Sequence, residues 1–242
     1  MNRLRLGAIA GLAGPLLFSA GWIVGGFVQP ATYSWSRQEI SDLGALTAQH
    51  AWVWNLADSL SGVLIAIFAV GLFSLVQSNR AGRIGTVLIG VVGVGSVLDG
   101  IVREDCPLST SGACQRLQGG SGLSWHHQAH DIESVLVFLA ILVAPFVMAR
   151  AFKQMDELRV LFPYTLATGI SLVGATVAYA ALYGEAGGGI AQRLLATVFM
   201  AWIAVLAVWM LRTNRSPHEP QVTGVAAGSG TTRRNAQNGA RR

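Results

Sequence analysis

Six apolar runs, at 7–28, 53–76, 84–102, 132–152, 162–183 and 190–211, constrain this chain more than any other feature. As a helix, each reaches across a hydrocarbon core of about 30 Å. Strands are not expected, because period-two alternation is missing and an open sheet edge cannot persist in lipid. Charged residues make up 12% of the 242, against about 25% in an ordinary soluble domain. That leaves too little polar surface for a water-soluble enzyme. The expectation is an all-α fold: a polytopic bundle of six transmembrane helices over 1–212, then a disordered, Arg-rich tail over 213–242. Pro15 and Pro145 fall inside the first and fourth runs, where a membrane helix tolerates a kink.

The formal net charge of +5 could suggest a nucleic-acid partner, but the placement of the bases argues against one. With the N-terminus in the cytoplasm, only Arg37, Arg103, Arg116 and Arg193 remain on the outer side. The other bases lie in short inner connections and the tail, as the positive-inside rule requires. Both termini are therefore expected in the cytoplasm and the long connections outside it. The first run follows Arg3 and Arg5 and could imitate a signal peptide. Its apolar core exceeds the roughly 7–15 residues of such a segment, so a retained helix is expected. Cys106 and Cys114 share one outer connection. An oxidising compartment favours a disulfide between them, and two soft ligands are too few for a metal site.

Polar chemistry gathers at the outer end. Asn55, Asp58 and Ser61 form one stripe on the second helix, and Asp99 lies near the end of the third. Ionisable groups at membrane depth normally face a bundle interior or water. Their bland alternative is a structural ion pair with Arg103 or Arg193. Ser41 and Asp42 sit in a loop of aromatic, charged and hydroxyl residues, where they either serve a site or close local turns.

Ser124 is positioned to cap the fourth helix ahead of Trp-His-His-Gln-Ala-His-Asp. His126 and His130 then share a face at i, i+4, a spacing that can chelate zinc or another divalent metal if a carboxylate such as Asp42, Asp99 or Asp105 joins them. His127 and Asp131 share the neighbouring face. Metal ligation, metal-free acid–base chemistry and plain hydrogen bonding all remain open for this cluster. The zincin glutamate is missing, since position 127 is His. Three glycines at 187–189 precede Arg193 at the start of the last helix. Arg193 there suits either an anionic head group or an ion pair with Asp58, Asp99 or Asp131.

These residues carry a resemblance. Ser-Arg-Gln-Glu-Ile-Ser-Asp-Leu-Gly-Ala over 36–45, the acid-bearing stretch through Asp105 and Cys106, His-Gln-Ala-His-Asp over 127–131, and Gly-Ile-Ala-Gln-Arg over 189–193 are similar to those of prokaryotic membrane proteins grouped as domain-of-unknown-function family 998. The resemblance covers about 5–212. It implies a six-helix, multi-pass protein of the bacterial plasma (inner) membrane, with no activity attached.

Two functional classes compete. One is an enzyme acting on a lipid or isoprenoid-type substrate, with His126, His130, Asp99 and Asp105 as catalytic groups. Ser41, Asp42, Asp58, His127, Asp131 and Arg193 would bind substrate, and His126 with His130 would hold any metal. The other is a non-catalytic lipid-binding protein, sensor or accessory subunit of an envelope complex. Membrane lipid is the expected partner in both, with a homo-oligomer or envelope partner open. A secondary transporter fits less well, because internal repeats and midplane charges are missing.

Overall fold

The computed structural model describes residues 2–119 and 122–213. The expected tail lies outside them. Among the described residues there are seven α-helices and no strand: α1 Arg3–Phe27, α2 Trp52–Val76, α3 Arg80–Asp99, α4 Gly112–Gly119, α5 Trp125–Gln154, α6 Phe162–Leu182 and α7 Gly188–Thr213. Six are long and apolar enough to cross a membrane, with a 3-10 segment, Asp156–Leu161, extending α6. This is a multi-pass membrane protein. The short α4 carries Cys114, which is disulfide-bonded to Cys106.

Helix starts follow from side chains that accept the unpaired N–H groups of a first turn. Asn2 accepts from the amide of Arg5, Asn79 from that of Gly82, and Ser124 from that of His127. The Ser124 cap explains why α5 begins at Trp125, well ahead of the apolar stretch that starts at Ile132. The histidine segment is helical as a result. At its other end α3 closes at Asp99, with Gly100 as its C-cap.

The six long helices form a ring. α1 packs on α2, α2 on α3, α3 on α5, α5 on α6, α6 on α7, and α7 closes on α1. Small residues permit the tightest crossings. A Cβ placed on Gly7 would lie 2.7 Å from the Cα of Gly71, and one on Gly93 would lie 2.7 Å from the carbonyl oxygen of Gly62. Gly11 meets Phe68 and Ala207, and Gly21 meets Ala57. The small-residue spacing on α1 thus serves packing within the chain. Ser61 reinforces the α1–α2 seam by donating to the carbonyl of Gly14 at 2.9 Å.

One end of the ring is filled and the other is hollow. Phe68, Leu72, Met148, Phe152, Trp202, Ile203 and Leu206 are fully buried toward the end that carries Arg80, Arg83 and Arg150. The opposite end, here called the loop face, encloses a cavity roofed by residues 39–42 and by Glu104 and Leu108.

Candidate functional site

The roof is built by docking one segment onto the start of α7. The carbonyl of Ser36 accepts from the amides of both Gly187 and Gly189, each at 2.9 Å. Gln192 Oε1 accepts from the amide of Ile40 at 2.6 Å. Arg193 donates through Nη1 to the carbonyls of Gln38 (2.7 Å), Gly189 (2.9 Å) and Trp35 (3.2 Å), and through Nη2 to the Tyr33 hydroxyl. Its guanidinium also lies over the rings of Trp22 and Trp35. The partners of Arg193 are neutral carbonyls and a phenol, and none of the ion pairs among the described residues involves it. Arg103 acts the same way from the far side, donating to the carbonyls of Gly44 and Ala45. Asp42 is buried and accepts from the amide of Glu39 and the hydroxyl of Ser109, both at 2.8 Å.

Beneath this roof the cavity measures about 660 Å3, within the roughly 300–1,000 Å3 of small-molecule sites. Its lower wall is apolar, formed by Phe18, Val92, Leu142, Leu195 and Phe199. Its upper end holds Glu39, Asp42, Asp58, Asp99, Glu104, Asp131 and Glu133, with His130 among them and no lysine or arginine in the lining. Val135 and Leu139 of α5, Ala180 of α6 and Tyr183 just after it line the cavity and are also exposed. The cavity therefore opens sideways between α5 and α6. Phe138 and Tyr179 stack across that gap.

His130 is the centre of the polar end. Its Nε2 lies 2.8 Å from Glu104 Oε1, and its Nδ1 lies 3.0 Å from Asp99 Oδ1. Both contacts are ion pairs, and the Ser134 hydroxyl lies 3.4 Å from Nε2. Asp58 is 2% exposed and faces Asp99 and Ser96, with Oδ1 unpartnered. Of the expected stripe on α2, only Asp58 reaches the cavity. Ser61 turns to α1, and Asn55 reaches the carbonyl of Gly44.

The other histidines serve the approach to α5. His126 Nδ1 contacts the carbonyl of Arg103 at 2.8 Å and the hydroxyl of Ser124 at 2.9 Å. His127 is fully buried, accepts from the amide of Asp105 at Nδ1, and has Asp131 3.7 Å from Nε2. Asp105 accepts from both the amide and the hydroxyl of Ser124. Burial raises its pKa, but those two hydrogen bonds outweigh burial and leave it below the usual carboxylate value. His126, His127 and Asp105 lie outside the cavity lining, while Ser41, Asp42, Asp58, Asp99, His130 and Asp131 lie within it. His126 and His130 do share a helix, but one turn of rise, about 6 Å, places His126 at the level of the capping loop.

A family model described as protein of unknown function (DUF998) matches residues 12–209, most of the chain. The chain belongs to the DUF998 family. No curated protein and no solved structure matches it. The two stretches that carry the likeness most specifically, 36–45 and 189–193, turn out to be the two halves of the roof of this DUF998 protein.

Sequence reasoning missed Glu39, Glu104, Glu133, Tyr179 and Gln192. Glu133 was detectable, since it stands three residues after His130 on one helix face. Glu104 follows the end of α3 and had no local signal. Glu39 accepts from the Tyr179 hydroxyl at 2.6 Å. Burial, aided by the charge of Glu104, pushes its pKa from 4.5 up to about 7. The folded state thus holds that proton more tightly than the unfolded chain does. The resulting stabilisation is full below about pH 4.5 and is lost as pH rises through about 7. The melting temperature of the detergent-solubilised chain is expected to fall between pH 5 and 8. In Glu39→Gln this component disappears. An unchanged pH profile in the variant would refute the assignment.

Proposed function

We propose that this DUF998 chain is a membrane enzyme that admits an amphipathic, lipid- or isoprenoid-type molecule between α5 and α6 and performs proton-transfer chemistry on its head group. The observation that carries this reading is the position of His130, flanked by Asp99 and Glu104 at the polar end of an otherwise apolar cavity. An imidazole held between carboxylates is a proton carrier with fixed orientation. The apolar wall suits a hydrocarbon tail. The carboxylate-rich end favours a neutral or cationic head group over a bare phosphate, which would meet like charge. The distribution of bases puts the loop face outside the cytoplasm, so the substrate would come from the outer leaflet of a bacterial plasma membrane.

Mass spectrometry of the full chain purified in mild detergent should detect about one retained amphiphile per chain. Ala196→Trp projects an indole into the cavity and is expected to lower retention at least about tenfold. With an envelope lipid extract, a head-group product should form, and His130→Gln should slow its formation about 100-fold or more. Retention with no product would favour the non-catalytic lipid-binding or accessory reading. Neither retention nor product would defeat both.

A further inference from the structure

The upper end of the cavity holds a side-chain set that proton transfer alone does not account for. Asp99, His130 and Glu133 each offer one ligand atom, and these atoms all lie within 4.8 Å of one another. His130 and Glu133 stand three apart on one face of α5, and Asp99 ends α3, the helix packed alongside. Gly95 of α3 makes room for the set, because a Cβ there would approach Glu133 Oε1 to 2.5 Å.

Two further observations point to a ligand. The Nδ1 of His130, a residue 4% exposed, has as its neighbour only Asp99 Oδ1 at 3.0 Å, itself one of the three candidate ligands. Asp58 Oδ1, on a residue 2% exposed, is unpartnered beside Asp99. Lone pairs and negative charge converge where no basic side chain lines the cavity. Arg103 and Arg193 at the loop face donate to roof carbonyls and the Tyr33 hydroxyl instead. One imidazole cannot balance so many carboxylates, and such a convergence attracts a cation.

We infer that Asp99, His130 and Glu133 form a binding site for a divalent transition-metal ion of the zinc or manganese type. One imidazole and two carboxylates suit those ions and disfavour soft copper(I). Tetrahedral zinc with bonds of about 2.0–2.1 Å needs ligand atoms about 3.3 Å apart. The Asp99–His130 pair already stands at 3.0 Å, and a rotamer change brings in the half-buried Glu133. Glu104, 2.8 Å from Nε2, supplies the carboxylate that fixes a metal-bound histidine by its other nitrogen. Three protein ligands leave a position open toward the cavity, as catalytic sites do. The ligand set differs from the His126–His130 pair expected from spacing. It shares His130 with the proposed function, whose proton transfer falls to a neighbouring carboxylate when the metal is bound, and the two readings fail separately.

The test uses the full chain in detergent, stripped with a chelator and dialysed against zinc chloride. Elemental analysis is expected to find about one zinc per chain, and below about 0.2 in His130→Ala and in Glu133→Gln. His126→Ala should keep about one. X-ray absorption of the loaded wild-type chain should show one imidazole and otherwise oxygen ligands, a readout that does not depend on any variant folding. Less than about 0.2 zinc in the wild type, or full zinc in both site variants, would overturn the inference. Retained amphiphile is measured on the stripped chain: amphiphile without zinc binding sinks this site alone, and zinc binding without amphiphile sinks the substrate reading alone.

Discussion

Arg193→Met is expected to lower the melting temperature of the detergent-solubilised chain by about 10 °C or more and to expose residues 33–45 to protease. The substitution keeps most of the volume and removes every donor. The carbonyls of Trp35, Gln38 and Gly189 and the Tyr33 hydroxyl then lose their shared partner under a largely buried roof. Each buried acceptor left unpaired costs about 1–3 kcal/mol. With some recovered by entering water, a total of about 3–5 kcal/mol is reasonable. For a chain of this size each kcal/mol moves the midpoint by about 2–4 °C. Arg193→Lys should restore only part of the loss, because one ammonium cannot span a fork that reaches Tyr33 and three carbonyls together. A Met variant that melts with the wild type would show that the roof does not depend on this side chain.

Gly62→Val is expected to be at least as damaging, through a different mechanism. A Cβ at Gly62 would collide with the carbonyl oxygen of Gly93 and come within 2.9 Å of Ser96 Cβ and the amide nitrogen of Val97. Backbone cannot swing aside as a flexible side-chain tip can. The α2–α3 crossing must therefore widen, at a cost above the roughly 1–3 kcal/mol of ordinary overpacking. Gly90 and Gly174 provide the controls. The nearest atom to a Cβ on Gly90 is 4.0 Å away, and nothing lies within 4 Å of one on Gly174. Alanine at either site should leave the midpoint unchanged or raise it slightly, as helix propensity predicts. Monodisperse, wild-type-like Gly62→Val in size-exclusion chromatography would contradict the crossing.

The membrane-spanning architecture was legible because lipid leaves a chain few options. Twenty apolar residues must become a helix, and the six runs could be read directly. The disulfide was legible too, from two cysteines in one connection. Spacing failed where a residue's role depends on depth along the ring. His126 and His130 share a face, yet one meets the capping loop and the other the cavity. Arg193 reads as an anion site at a helix start, but the same features can bind carbonyls of a distant loop. That loop is more than a hundred residues away in sequence, and no local pattern reveals it. Glu104 was hidden for the same reason.

The bond between Ile40 and Gln192 joins positions 152 residues apart. During synthesis, the segment at 36–45 therefore emerges long before its docking partner exists. α1 likewise waits for α7 to close the circle. The nascent protein must pass most of its insertion as an open arc, with the carboxylates of the future pocket facing the translocon, lipid or a chaperone. Truncation anywhere before Gly188 would remove the helix that closes the ring, so the circle is completed only by the last span to be made.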